Sequence, residues 1–206
     1  MIIKVCGMRE PDNIRAVDAL EGVTWMGFIF HPRSPRFVSE VPAYLPLHCK
    51  RVGVFVNEPQ QGILDRMKPF GFDLIQLHGN EAPEYCQELR SSIGSELKII
   101  KMIPITTTSD LEAAKPYEGI VDFFLFETRC SIYGGSGKSF DWEILQQYHG
   151  NTPFLLTGGI QPTDAEKIKA FHHPRFVGID LNSGFEMAPA LKAPAALRTF
   201  FTQISH

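Results

Sequence analysis

Little in this chain of 206 residues points outside the cell or into a membrane. Cysteine is sparse: Cys6, Cys49, Cys86 and Cys130 stand far apart and form no CxxC pair. A chain this long can bury a core without disulfide staples, so free thiols in a reducing compartment are expected. The opening Met1-Ile2-Ile3-Lys4 lacks the basic start, apolar stretch and small-residue cleavage site of an export signal, which makes the cytoplasm the expected address. No apolar run approaches the ~20 residues of a membrane helix. Neither sign of charge dominates: 20 Lys and Arg against 23 Asp and Glu leave a net charge of −3. That balance offers no basic surface for a phosphate backbone, so neither nucleic acid nor a membrane is an expected partner. The HxH and HExxH patterns of metal sites are missing, and no GxGxxG follows the first strand candidate, so no metal and no dinucleotide cofactor is implied.

What is present is an ordinary folding composition, 44% hydrophobic and 21% charged, arranged in a repeating order. Short β-branched and aromatic runs lie at 2–6, 25–30, 51–56, 73–77, 97–103, 122–127, 153–157 and 175–181. Near-continuous apolarity in runs this short suggests strands covered on both faces, as in a parallel sheet. Segments at 12–20, 58–70, 81–91, 162–170 and 190–203 carry charges at helical spacing between them. A β-then-α alternation repeated eight times in one domain, residues 1–206, predicts a single (β/α)8 TIM barrel. The rival, a doubly wound open sheet, lacks its glycine fingerprint. Residues 104–120 are weakly helical, so the helix between the fifth and sixth strands is expected to be short or missing.

Barrels of this class keep their working residues at the C-terminal ends of the strands. Those ends carry Cys6, His31, Asn57, His78, Glu127, Thr157 and Asp180. Cys6 shares its strand face with Lys4, a cation that would favour the thiolate as base or nucleophile; the alternative is an inert buried thiol. Glu127, with Phe123, Phe124 and Phe126 around it, is a candidate proton donor, or else an ordinary carboxylate paired with Arg129 or Lys138. Glycine turns follow the last three strands: Gly134-Gly135-Ser136-Gly137, Gly158-Gly159 and Asn182-Ser183-Gly184. The last two stand where phosphate-binding barrels seat their anion, although glycines also simply supply turns. In the loop after the second strand, Arg33 and Arg36 each offer a planar fork to a carboxylate or phosphate, and the residues alone do not choose between them.

In order along the chain, KVCGMRE at 4–10, GFIFHPRSPRFVS at 27–39, VGVFVNE at 52–58, IQLHGNE at 75–81, GGSGKSFDW at 134–142, LLTGGI at 155–160 and GIDLNSGFE at 178–186 resemble the phosphoribosylanthranilate isomerase family. The resemblance covers nearly the whole chain. It implies a cofactor-free isomerase acting on a sugar phosphate in tryptophan biosynthesis, as a monomer or homodimer. It makes Cys6 the general base and Glu127 the general acid, where the family carries aspartate. It chooses Arg36 for the anthranilate carboxylate, and places Gln76, His78 and Asp180 near the substrate. Gly158, Gly159, Ser183 and Gly184 match the phosphate cradle. The rivals are another sugar-phosphate isomerase and a barrel that binds its ligand without turnover.

Overall fold

The computed structural model describes residues 1–128 and 142–205. Eight parallel strands close into a barrel in chain order: β1 (Ile2–Cys6), β2 (Trp25–Ile29), β3 (Lys50–Phe55), β4 (Leu74–Leu77), β5 (Lys98–Ile105), β6 (Phe123–Thr128), β7 (Phe154–Thr157) and β8 (Phe176–Leu181). Closure is made by β1 against β8, with Lys4 opposite Asp180.

Strand alternation sorts the apolar side chains into two clusters. Cys6, Val52, Val54, Leu74, Ile100, Met102, Leu125 and Leu155 fill the barrel. Val5, Phe28, Phe55, Ile75, Phe124, Phe126 and Phe154 belong to the larger cluster between the barrel and its helices. Phe124, Phe126, Tyr148 and Phe154 pack there ring against ring. Among the described residues, five α-helices form the outer layer: α1 (Pro11–Asp18), α2 (Gln60–Phe70), α3 (Pro83–Ile93), α4 (Ala165–Ala170) and α5 (Pro194–Ser205). Proline opens α1 and α3, where its missing N–H costs nothing, and Gly71 ends α2 at φ 59°. None of the described helices is long and apolar enough to cross a membrane.

The alternation is less regular than the pattern of eight repeats implies. Residues 31–49, between β2 and β3, contain no helix. The carboxylate of Asp18, at the end of α1, holds that connection, accepting the N–H groups of Leu47, His48 and Cys49 and the hydroxyl of Tyr44. Between β5 and β6 there is no α-helix, as the weak pattern suggests. A 3-10 helix, Thr108–Tyr117, takes its place, opened by a Thr107/Asp110 capping box and carrying Pro116 near its end. After β8 a 3-10 turn, Ser183–Phe185, leads into a small antiparallel hairpin, β9 (Glu186–Ala188) and β10 (Leu191–Lys192). Asn13 of α1 bolts the hairpin down through both backbone groups of Lys192.

Candidate active site at the barrel mouth

A cavity of about 290 Å³ opens at the C-terminal ends of the strands. Cys6, Gln76, His78, Glu127 and Asp180 line it together with Gly158, Gly159, Ser183 and Gly184.

The phosphate-type wall is built by close approach of two loops. Gly158 and Gly159 take φ 103° and 69°, a region that side chains disfavour. Gly184 lies so near the β7 loop that a Cβ there would come within 2.2 Å of the Ile160 carbonyl oxygen. Among the described residues, no group accepts a hydrogen bond from the N–H of Gly159, Ser183 or Gly184. Backbone donors gathered in this way suit an anion.

Much of the rest of the lining is polar, with Gln76 and Asp180 buried and His78 and Glu127 partly exposed. Lys4 and Asp180 pair at 2.8 Å beneath the cavity floor, with Lys4 withdrawn completely from solvent. Gly27 on β2 leaves the room that Cys6 needs: a Cβ there would lie 2.8 Å from Cys6 Sγ and 3.3 Å from Lys4 Cε. The Gln76 amide nitrogen lies 2.9 Å from His78 Nδ1. The other ring nitrogen, Nε2, lies 3.7 Å from Glu127 Oε1. Glu81 fastens the turn after His78 by accepting the Gly79 and Asn57 N–H groups and pairing with Lys101 at 2.9 Å. Gln76 Oε1 and Asp180 Oδ1 are buried, and neither has a hydrogen-bond partner among the described residues.

The family profile described as N-(5'-phosphoribosyl)anthranilate isomerase matches residues 3–203. A relative of that name in Phocaeicola vulgatus is 55% identical, with 99% of this chain aligned to 98% of its own. One in Parabacteroides distasonis is 53% identical, over 100% and 94%. The chain belongs to the N-(5'-phosphoribosyl)anthranilate isomerase family. The crystal structure of the phosphoribosylanthranilate isomerase of Thermus thermophilus superposes with a TM-score of 0.81 at 27% identity, covering 100% of this chain and 98% of that one. Another solved isomerase, in complex with reduced 1-(o-carboxyphenylamino)-1-deoxyribulose 5-phosphate, superposes at 0.75 with 25% identity, over 100% and 99%.

The sequence-predicted site residues of this family member come together with one exception. Arg36 stands at the rim, outside the cavity lining. Its guanidinium grips Glu186 through Nε at 2.8 Å and Nη2 at 2.5 Å, a pairing that raises the Arg36 pKa. Two electrostatic expectations are corrected. Burial pushes the Cys6 thiol above its ordinary value; Lys4 opposes this, Asp180 adds to it, and the cation does not prevail. Burial disfavours the charge on Lys4, but the attraction and hydrogen bonding of Asp180 and Cys6 together outweigh it and raise the Lys4 pKa. Glu127 is not caged by phenylalanines either. Phe124 and Phe126 alternate outward into the helix-facing cluster, and Phe123 and Leu125 lie below Glu127 on the inward face. Arg129, Cys130, Lys138 and the Gly134-to-Gly137 turn lie outside the described residues.

Sequence reasoning missed Glu186 and Lys192, and read Asn182 only as part of the glycine turn after β8. Lys192 is fully buried, 2.5 Å from Glu186 Oε1 and 2.9 Å from Asn182 Oδ1. The only signal was the last residue of GIDLNSGFE, which no motif tied to the arginine about 150 positions earlier.

Proposed function

We propose that the protein catalyses the Amadori rearrangement of N-(5-phosphoribosyl)anthranilate to 1-(2-carboxyphenylamino)-1-deoxyribulose 5-phosphate in tryptophan biosynthesis. The observation that carries this reading is that one cavity is lined by Cys6 and Glu127 and by the glycine-bearing turns after β7 and β8. Membership of the family supports it.

In this reading the phosphate lies against the backbone N–H groups of Gly159, Ser183 and Gly184, with Gly158 shaping the turn. The Glu127 carboxyl gives its proton to the furanose ring oxygen, and the C1–O bond breaks as the substrate's nitrogen lone pair forms the Schiff base. Cys6, as thiolate, then takes the C2 proton, and those electrons flow into the protonated imine to give an enolamine. A proton delivered to C1, with loss of the C2 hydroxyl proton, completes the ketone. Burial makes the Cys6 thiolate scarce and correspondingly more basic, which suits removal of a carbon-bound proton. The unpartnered oxygens of Gln76 and Asp180 are acceptors for sugar hydroxyls, since buried polar atoms are rarely left unsatisfied. Arg36 takes the anthranilate carboxylate. The imine supplies the electron sink within the substrate itself, so the steps call on no cofactor. The resemblance puts aspartate where this chain has Glu127, and the added methylene displaces the carboxyl by roughly an ångström.

Complementation of a tryptophan auxotroph lacking this step tests the reading, backed by fluorescence assay of phosphoribosylanthranilate consumption. Growth with measurable turnover is the expected result. Tight product binding without turnover would overturn it in favour of a binding protein.

A further inference from the structure

We propose that Glu186, clamped by Lys192, is the positioning residue that aims Arg36 at the substrate's carboxylate, so that selection for the acid group on the aromatic ring runs through the β9–β10 hairpin. The inference rests on the reading of Arg36 as the carboxylate ligand.

Glu186 is locked from several directions. Its Oε1 accepts from Arg36 Nε, from Lys192 Nζ at 2.5 Å and from the Ala190 N–H at 3.2 Å; its Oε2 accepts from Arg36 Nη2. Ala190 holds φ 65°, which bends the hairpin turn back over the carboxylate. Lys192 is tied in turn to Asn182, which lines the cavity, and through its backbone to Asn13. The carboxylate is therefore a fixed fitting.

Guanidinium presents two edges that fit a carboxylate. Glu186 takes the Nε/Nη2 edge of Arg36. Nη1 and the outer proton of Nη2 remain for a second carboxylate. The stem of Arg36 lies over the turn after Cys6, so close that a Cβ on Gly7 would come within 2.5 Å of its Cδ. That seats the stem of Arg36 against the backbone of the residue next to the candidate base. Arg36 and Lys192 bring two positive charges to this cluster and Glu186 brings one negative. The two cations share one carboxylate, and burial holds the Lys192 pKa below its ordinary value against the attraction of Glu186.

The test compares kcat/KM for N-(5-phosphoribosyl)anthranilate and N-(5-phosphoribosyl)aniline, which keeps the sugar, phosphate and nitrogen but lacks the carboxylate. Wild type, Arg36→Met and Glu186→Gln are assayed with both. Glu186→Gln is expected to lose at least about tenfold more on the anthranilate compound than on the aniline compound, as removal of an orienting charge from a bidentate site implies. Equal losses on the two would reduce Glu186 to a structural role and overturn the proposal. A stronger preference for the anthranilate compound would mean that Glu186 competes with substrate for Arg36, and would overturn it too. If Arg36→Met keeps the wild-type preference, the underlying reading of Arg36 fails, and the proposal with it. If Arg36→Met loses the preference while Glu186→Gln retains it, only the role given to Glu186 fails. Should Glu186→Gln not fold, Glu186→Asp carries the comparison, with an expected excess loss of roughly threefold from a shortened but still charged clamp; equal losses there overturn the proposal.

Discussion

Lys4 on β1 and Asp180 on β8 face each other across the seam that closes the barrel, their charged atoms 2.8 Å apart and their side chains almost wholly out of solvent. Cys6 lies two residues further along β1, at the level of the cavity. The pair therefore does two things at once: it joins the first and last strands and sets the charge environment beneath the thiol.

Removing one partner alone leaves the other charge buried. Lys4→Met is expected to lower stability by about 3–5 kcal/mol, read as a lower denaturant midpoint at unchanged slope. Lys4→Met combined with Asp180→Asn should recover part of the loss. A single Lys4→Met variant as stable as wild type would show that the ion pair contributes nothing to closure.

Asp18 predicts an acid-side effect. Burial works against its charged form, yet the hydrogen bonds from Leu47, Cys49, Tyr44 and His48 prevail and hold its pKa below the ordinary 3.8. A depressed carboxylate contributes stability that is present above the unfolded value and lost as pH falls through the folded one. Asp18→Asn should therefore have a lower Tm than wild type at neutral pH, with the gap closing once the pH falls below 3.8. A gap that stays constant in acid would assign the effect to geometry instead of charge.

For catalysis, Cys6→Ser and Glu127→Gln are each expected to reduce kcat by roughly 10²–10⁴, the usual contribution of a positioned acid or base. Near-wild-type turnover in either variant removes that residue from the mechanism. In wild type, the kcat/KM limb that reports Cys6 should rise with pH and lie above the ordinary thiol value of 9.0, since burial favours the neutral form. A limb below 9.0 would contradict that reading of the free enzyme.

Gly184→Ala probes the cradle. The new methyl would meet the Ile160 carbonyl oxygen, so one of the two loops must move apart from the other. We expect a loss of about 1–3 kcal/mol of stability and a rise in KM larger than any fall in kcat, with inorganic phosphate also a weaker inhibitor. Unchanged KM and phosphate inhibition would place the anion elsewhere.

Much of this was legible in the chain. The eight strand candidates coincide with the observed strands to within two residues at either end, because a strand covered on both faces leaves an uninterrupted apolar run. Cys6, His78, Glu127 and Asp180 were legible for a related reason, since a polar side chain at the end of such a run stands at the barrel mouth, whereas Gln76 was picked out only by the family resemblance. The missing helix between β2 and β3 was harder to see: a single carboxylate 26 to 31 residues upstream holds that connection, and no periodicity records it.

The order of strands and the clustering of chemistry at one end followed from sequence alone, because strand patterning and termination are local properties of the chain. Whether the Cys6 thiol would be favoured or disfavoured as an anion, which phenylalanines lie near Glu127, and that Arg36 and Lys192 both pair with Glu186 were decided only by tertiary structure. Burial and ion pairing depend on groups brought together from opposite ends of the chain, and a pKa follows the balance of desolvation and nearby charge in space, for which spacing along the sequence is no guide.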